Sequence, residues 1–122
     1  MAARSGAVGP DTLGAQLAAW GKVALLESRG RASGRVVRTP VGFVEDGTDL
    51  LVAAGTDSTD WALNLRANPE CTVEIEDRTA DYMAREVDEA ARGPAVVALI
   101  LKYGTPAERL GRGPVFRLTL RR

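Results

Sequence analysis

The sequence predicts a mainly β protein of the α+β class, a small antiparallel barrel of six strands with flanking helices. Its 122 residues are the length of one domain. The strand-like segments come as hairpins, and helical segments are inserted between the hairpins rather than after every strand. That order excludes a repeating βαβ pattern and its parallel sheet. An antiparallel barrel closes its own edges and leaves helices to cover its ends.

The N-terminal part of the chain predicts a tail, a helix and a first strand. Residues 1–10 are small and Gly-rich, so we expect a flexible tail before a domain of residues 11–122. Asp11–Trp20 carries apolar residues at helical spacing. Lys22–Ser28 is a short apolar strand, and the Gly and Ser residues of Arg29–Gly34 indicate a turn.

The next segments predict a pair of strands joined by a tight turn. Arg35–Glu45 is rich in β-branched residues, which favour a strand. Pro40 lies inside it and cannot donate to a ladder, so this strand needs an edge position or a bulge. Asp46 and Gly47 form the strongest hairpin signal of the chain, and the apolar strand Asp49–Ala54 follows.

A polar loop, Gly55–Thr59, precedes a short helix over Asp60–Ala67. Asp60 stands at the cap position, where its carboxylate can accept backbone N–H groups. Pro69 prevents continuation, and the residue before it is pushed out of the α region. Three apolar side chains are predicted to face mostly inward: Trp61, Leu63 and Leu65.

The second half of the chain predicts a further hairpin, a helix and a last strand. Pro94 is expected in the first turn of that helix, where proline is tolerated, and Gly104 at its end. The segments are the strands Cys71–Glu76 and Thr79–Val87, joined at Asp77 and Arg78, the helix Pro94–Tyr103, a possible short turn over Thr105–Leu110, and the strand Pro114–Leu120.

Composition excludes several classes of function. Sixteen basic and sixteen acidic residues cancel, so net charge gives no argument for nucleic acid or an anionic membrane. One Cys and no His exclude an internal disulfide, a Cys-based zinc site and the Ser-His-Asp and Cys-His nucleophiles. If the protein is an enzyme, the difficult chemistry therefore belongs to an organic cofactor. Cys71 is interpreted as core packing.

Nothing in the sequence indicates a membrane protein. The first fourteen residues have one Arg and no long apolar core, so no signal peptide is evident. The longest apolar run, Ala95–Leu101, is far short of the ~20 residues that a span needs. We expect a cytoplasmic protein.

The basic pole of the chain lies between Ser28 and Val44, where there are four Arg and no acidic residue. The two Gly within residues 29–40 allow the backbone to approach a ligand closely, and amides of a tight turn can form an anion-binding concavity. Arg presents a planar fork that suits phosphate and carboxylate. The segment is either an anion site or a solvated strand face. Its candidate donors are Arg31, Ser33, Arg35 and Arg38.

Four motifs follow one another in a specific order: a G-R-x-S-G turn, an R-x-x-R-T-P strand, a D-G hairpin and a W-x-x-N-L-x-A-N-P helix end. From about Leu25 to Ile75 the chain resembles the deazaflavin-dependent nitroreductase family. These are F420-dependent oxidoreductases of split β-barrel fold, related to FMN-binding pyridoxamine-phosphate-oxidase-like proteins. The resemblance implies that reduced F420 donates a hydride from its C5 carbon to a nitroaromatic, a quinone or an activated enone.

The resemblance also implies roles for particular residues. The phosphate and acidic tail of the cofactor would be held by Arg31, Ser33, Arg35 and Arg38. The deazaflavin ring would be bordered by Ala53, Ala54, Gly55 and Thr56. Trp61 would line the pocket near the ring, and Tyr103 would either cap the substrate pocket or pack at the end of its helix. Asn64 is expected to bond the loop backbone.

The chain also departs from this family pattern. Ala32 and Val37 stand where the family commonly has basic residues, and the pair Gly55 and Thr56 lacks charge. Two alternatives therefore stay open, an FMN-binding split-barrel flavoprotein and a non-catalytic barrel that binds a small ligand. A homodimer, with the cofactor near its interface, is expected on the resemblance alone.

Overall fold

The computed structural model describes residues 22–104 and 113–121. Seven strands and two helices form within these ranges. In chain order they are β1 (Ala24–Arg29), β2 (Val36–Val41), β3 (Phe43–Asp46), β4 (Asp49–Ala53), α1 (Asp60–Ala67), β5 (Glu70–Ile75), β6 (Arg78–Glu86), α2 (Glu89–Tyr103) and β7 (Val115–Leu120). The predicted tail, the helix Asp11–Trp20 and the turn Thr105–Leu110 lie outside the described residues.

One antiparallel sheet holds all seven strands in the order β2-β1-β5-β6-β7-β4-β3. Its two edge strands, β2 and β3, are separated in the sequence only by Gly42, so the sheet curls into a split barrel. The predicted fold class is confirmed. The predicted number of six strands is wrong by one. The segment Arg35–Glu45 was predicted as one strand, but it forms two: β2 at one edge of the sheet and, after Gly42, β3 at the other edge. Pro40 lies on the edge strand β2, as predicted.

Two apolar cores stabilise the fold. The first fills the barrel with inward-facing side chains of the strands and of α1, including Leu26, Val52 and Phe116. The second lies between α2 and the outer face of β4 and β7, and Leu99 and Val115 are completely buried there. Strand residues therefore alternate between barrel interior and outer face, with α2 covering one part of that outer face.

Helix α1 has the predicted bounds but a different start. Thr59 is its N-cap residue and makes no side-chain cap hydrogen bond, and Asp60 is the first helical residue. The expectation that Asp60 caps the helix is therefore wrong. Asn68 is extended at φ −135° and ψ 97°, as expected before Pro69. Trp61 and Leu65 are buried, and Leu63 is half-buried.

Helix α2 begins earlier than predicted. Asp88 is its N-cap, and its side chain accepts a hydrogen bond from the Ala91 amide at 3.0 Å. Pro94 therefore lies inside the helix, not in its first turn. Because proline has no N–H, the carbonyl of Ala90 accepts no hydrogen bond from residue 94, and this exposed carbonyl is left to solvent. Gly104 ends the helix at φ 82°, as predicted.

The two ends of the barrel differ in construction. At one end, which we call the turn end, lie the β1–β2 turn, the loop after β4 and helix α1. At the other, the hairpin end, lie the β3–β4 and β5–β6 turns and the last residue of β7. Neither described helix is long and apolar enough to cross a membrane.

Candidate functional site

The Arg- and Gly-rich turn has a defined backbone. Gly34 donates to the Gly30 carbonyl and Gly30 donates to the Arg35 carbonyl, both at 2.8 Å. The Arg35 amide also donates to Ser33 Oγ at 3.1 Å. Gly34 has a φ of 73°, which favours glycine, and a Cβ on Gly30 would lie 2.7 Å from Ser33 Oγ. Gly34 is therefore needed for this turn, and a side chain at position 30 would displace the Ser33 hydroxyl. The turn presents residues 31–35 to solvent.

Arg31 is held by helix α1. Its guanidinium donates through Nη1 to Asn64 Oδ1 at 2.8 Å and through Nη2 to Asp60 Oδ1 at 3.2 Å. Its backbone N–H donates to the same Asn64 oxygen at 3.1 Å. Asn64 is only 3% exposed and bonds the turn backbone, the structural role predicted for it. The carboxylate of Asp60 therefore already pairs with the guanidinium of Arg31.

Arg38 is engaged away from the turn. On the outer face of the sheet its Nε lies 3.1 Å from Glu27 Oε2 and its Nη2 lies 3.1 Å from Glu74 Oε1. Glu27 is its cross-strand neighbour on β1. Two carboxylates therefore already neutralise the charge of Arg38.

Arg35 and Arg29 are the available cations of the turn. The Arg35 side chain has no ion pair or hydrogen bond with another residue of the described ranges. Arg29 donates through Nη1 only to the Gly34 carbonyl, at 3.2 Å. Sequence reasoning did not select Arg29 as a donor, although it opens the same Arg-rich segment. Both guanidinium groups keep donors free for an anion.

The loop after β4 is fixed on its buried side. Ala53 and Ala54 are buried, and the Ala54 amide donates to the Pro114 carbonyl at 2.9 Å. A Cβ on Gly113 would overlap the carbonyl of Ala54 and the amide of Thr56. Gly113 was not singled out from the sequence, and its only signal was the Gly-Pro pair before the last strand.

The exposed part of this loop is tied together by hydroxyl groups. Thr56 Oγ1 lies 3.2 Å from both the Ser58 and the Thr59 hydroxyl oxygens. The Thr56 amide donates to Thr59 Oγ1 at 3.3 Å. The loop therefore presents Gly55 and Thr56 at its surface, while Ala53 and Ala54 support it from below.

Trp61 lies in the barrel core. It is 7% exposed, and its ring centroid is 6.0 Å from that of Phe116 at an interplanar angle of 56°. Its helix follows directly on the hydroxyl-rich loop, so the ring lies behind that loop rather than on its surface.

Tyr103 lies at the opposite end of β1 from the turn. Its hydroxyl donates to the Lys22 carbonyl at 2.7 Å and accepts from the Phe43 amide at 3.1 Å. A Cβ on Gly42 would lie 3.2 Å from its ring. These two hydrogen bonds join the end of α2 to the start of β3 and to the segment before β1, as in the helix-end packing alternative.

Burial raises the pKa of two side chains, the buried Cys71 and the half-buried Tyr103. Burial raises the pKa of the Cys71 thiol to about 12, so the thiol is protonated at neutral pH, in accord with core packing. Burial likewise raises the pKa of the Tyr103 hydroxyl.

The chain matches the family model of F420H(2)-dependent quinone reductases over residues 3–110. The chain belongs to this family. It is an oxidoreductase, and F420 is its cofactor. The uncharged Gly55–Thr56 surface and the remaining guanidinium donors of Arg35 and Arg29 are compatible with a flat ring that carries an anionic tail.

Solved structures support the same conclusion. The F420-H2 dependent reductase FDR-A is 25% identical, with a TM-score of 0.67 over 80% of this chain and 93% of that chain. A protein described as a domain-swapped dimer is also 25% identical, with a TM-score of 0.67 over 80% and 79%. The heme storage protein HutZ from Vibrio cholerae, at 20% identity, shows the fold alone, with a TM-score of 0.71 over 93% and 91%. The family match and the F420-H2 dependent reductase favour F420 over the FMN alternative.

Proposed function

We propose that this F420-dependent reductase transfers a hydride from F420H2 to a quinone, with nitroaromatics and activated enones as further acceptors. The proposal rests on the match of residues 3–110 to the family of F420H(2)-dependent quinone reductases, whose description names this cofactor and a quinone acceptor. The turn end of the barrel provides a place for the cofactor. When bound, F420H2 supplies the hydride, and the protein supplies binding and orientation.

The anionic tail of the cofactor is assigned to the turn. Arg35 is its main contact, because this guanidinium is exposed and has no partner within residues 22–104 and 113–121. Arg29 and Arg31 assist, and Ser33 shapes the turn through the Arg35 amide. Arg38 contributes least, because Glu27 and Glu74 already hold it.

The ring of the cofactor is assigned to the loop after β4. Gly55 and Thr56 form its contact surface, and Ala53 and Ala54 support that surface from the barrel side. Trp61 lies behind the loop and stiffens it through the core contact with Phe116. A rigid loop limits the loss of conformational entropy when the ring binds.

The proton that completes quinone reduction comes from water. The chain has no His, and the Tyr103 hydroxyl already donates its proton to the Lys22 carbonyl. The residues of the turn are exposed to solvent. A hydride and a solvent proton together convert the quinone to its hydroquinone.

The decisive experiment mixes purified protein with F420H2 and menadione and follows the absorbance of oxidised F420. We expect turnover that depends on both protein and quinone, and saturable F420 binding seen as a change in cofactor fluorescence. The same sample titrated with FMN serves as the control for cofactor identity. Saturable F420 binding without turnover of any quinone, nitroaromatic or enone would support the non-catalytic barrel, and no F420 binding at tens of micromolar would refute the proposal.

We further propose that the protein forms a homodimer. The support is the domain-swapped dimer among its structural relatives and the exposure of Val36, Val97 and Leu101, which are 55%, 54% and 83% accessible. Sedimentation equilibrium tests this, with a mass near 26 kDa expected from a chain of 12.9 kDa. A single species at the monomer mass would contradict it.

A further inference from the structure

A cavity of about 300 Å³ lies at the hairpin end of the barrel. Its walls are apolar side chains that belong to the barrel core or pack against it: Leu50, Val73, Ile75, Ala80 and Leu120. Helix α1 closes the turn end, whereas no described helix lies among the residues that border this cavity. The hairpin end therefore has a partly open, largely apolar cavity that is large enough for a small organic molecule.

A tyrosine side chain lines this space. Tyr82 is 8% exposed and borders the cavity from the inner face of β6. Its hydroxyl has no hydrogen-bond partner among the residues that the structure describes. The hydroxyl oxygen is accessible from the cavity, since among the described residues only Ser28 Oγ is a buried side-chain polar atom without a partner. A polar group of a ligand can therefore exchange hydrogen bonds with Tyr82.

The mouth of the cavity carries one charge of each sign. Glu45 and Arg78 both border it, and neither forms an ion pair with another described residue. Both charges act on Tyr82, since Glu45 raises and Arg78 lowers the pKa of its hydroxyl, although burial is the largest cause of the raised pKa. An ionic ligand would meet one like charge at this mouth, whereas a neutral polar group can donate to Glu45 and accept from Arg78.

We propose that the hairpin end of the barrel is a second binding site, for a neutral and largely apolar molecule with one polar end. The apolar body lies among the side chains of the cavity wall, and the polar end meets Tyr82, Glu45 and Arg78. This site is distinct from the F420 site, because the turn, the loop after β4 and helix α1 all lie at the other end of the barrel. The proposal therefore does not depend on the proposed reaction.

The test uses two fluorescent probes that share one skeleton. N-phenyl-1-naphthylamine is neutral and has one N–H donor, whereas 8-anilino-1-naphthalenesulfonate carries a negative charge. We expect saturable binding of the neutral probe at one site per chain, and binding of the sulfonate about tenfold weaker. Absence of saturable binding of the neutral probe would overturn the proposal. Tighter binding of the sulfonate would overturn the assignment to a neutral ligand.

Variants locate the probe. Ala80→Phe fills the cavity from its wall and should abolish binding of the neutral probe, whereas Thr79→Phe adds the same ring on the outer face of the same strand and should leave it unchanged. Tyr82→Phe should weaken binding about threefold to tenfold, because it removes only the hydroxyl. If Ala80→Phe does not fold, Ala80→Val serves as a smaller filling. Equal binding by the filling variant and wild type would refute the site.

The same variants separate this site from the cofactor site. Ala80→Phe should bind F420 with the affinity of the wild-type protein, because the turn end is unchanged. Loss of F420 binding in Ala80→Phe with retained circular dichroism would show that the two sites are one and would overturn the proposal of a second site.

Discussion

Asn64 accepts two hydrogen bonds from Arg31 through a single oxygen, one from the backbone N–H at 3.1 Å and one from Nη1 at 2.8 Å. This oxygen lies on a side chain that is 3% exposed, so water competes weakly for it. The contact joins helix α1 to the Arg- and Gly-rich turn. It thereby fixes the turn relative to the loop that leads into the helix.

Replacement of Asn64 tests this joint. Asn64→Ala should lower the free energy of unfolding by about 1–3 kcal/mol, because two hydrogen bonds from Arg31 to the buried Asn64 side chain are lost. It should also weaken F420 binding, since the turn loses its anchor. Urea unfolding and F420 fluorescence titration measure the two effects. The matched control is Asn68→Ala, at an exposed position just after the same helix, and equal destabilisation by both variants would contradict the prediction.

Asp60 competes with an anionic ligand for Arg31. Asp60→Asn removes the 3.2 Å ion pair and should tighten F420 binding about twofold to fivefold, because Arg31 becomes available to the cofactor tail. Stability should change by less than about 0.5 kcal/mol, because both side chains are largely exposed. Asp57→Asn removes the same charge from the adjacent loop. If both variants tighten F420 binding equally, the cause is the lower negative charge near the site and not the loss of the Asp60–Arg31 ion pair.

The two arginines at the ends of the R-x-x-R motif should differ in their effect on cofactor binding. Arg35→Gln should weaken F420 binding about tenfold, the cost of a lost charge-assisted hydrogen bond. Arg38→Gln should weaken it less than about threefold, because two glutamates already hold this guanidinium. Dissociation constants measured at low and high salt test the pair. If Arg38→Gln weakens F420 binding more than Arg35→Gln does, the assignment of Arg35 as the main contact of the cofactor tail is wrong.

Gly113 controls the loop that is assigned to the ring. Gly113→Ala should destabilise the protein by about 1–3 kcal/mol and weaken F420 binding, because its Cβ would overlap the Ala54 carbonyl and the Thr56 amide. Gly93→Ala is the control, since a Cβ there meets no atom within 4 Å and the position is helical. That control should stabilise the protein by about 0.5–1 kcal/mol. Thermal and urea unfolding of both variants measure the contrast.

An ion pair between α1 and β6 should make stability depend on acid pH. Arg66 donates to both oxygens of Glu86, at 2.8 and 2.9 Å, and this hydrogen bonding lowers the pKa of Glu86. A lowered folded-state pKa contributes stability above the unfolded pKa of about 4.3, and that stability is lost as the pH falls through the folded value. The effect should stay below about 1 kcal/mol, because both side chains are partly exposed.

The pair is measured by a double-mutant cycle of Glu86→Gln and Arg66→Gln. At neutral pH the coupling energy should favour the native pair, and below the folded pKa of Glu86 it should vanish. A coupling that persists unchanged in acid would show that the charge of Glu86 does not stabilise the fold.

Local signals in the sequence predicted most of the helices and strands. They failed where contacts between residues far apart in the sequence determine the structure. The bounds of α1 were correct, because Pro69 acts on the backbone beside it. The start of α2 was wrong, because Pro94 was interpreted as the helix start although Asp88 could cap it six residues earlier. The long second strand was predicted as one element, whereas the curvature that splits it at Gly42 comes from closure of the barrel.

The sequence by itself determined the order of strands and helices, the absence of a His- or disulfide-based chemistry, and the family, through four motifs in a specific order. Only the tertiary structure decided which of the turn arginines are available to a ligand. Asp60 and Asn64, the partners of Arg31, and Glu74, one of the two partners of Arg38, lie 29 to 36 residues away in the sequence. Such contacts depend on strand pairing and helix packing, so no local pattern around the turn can reveal them.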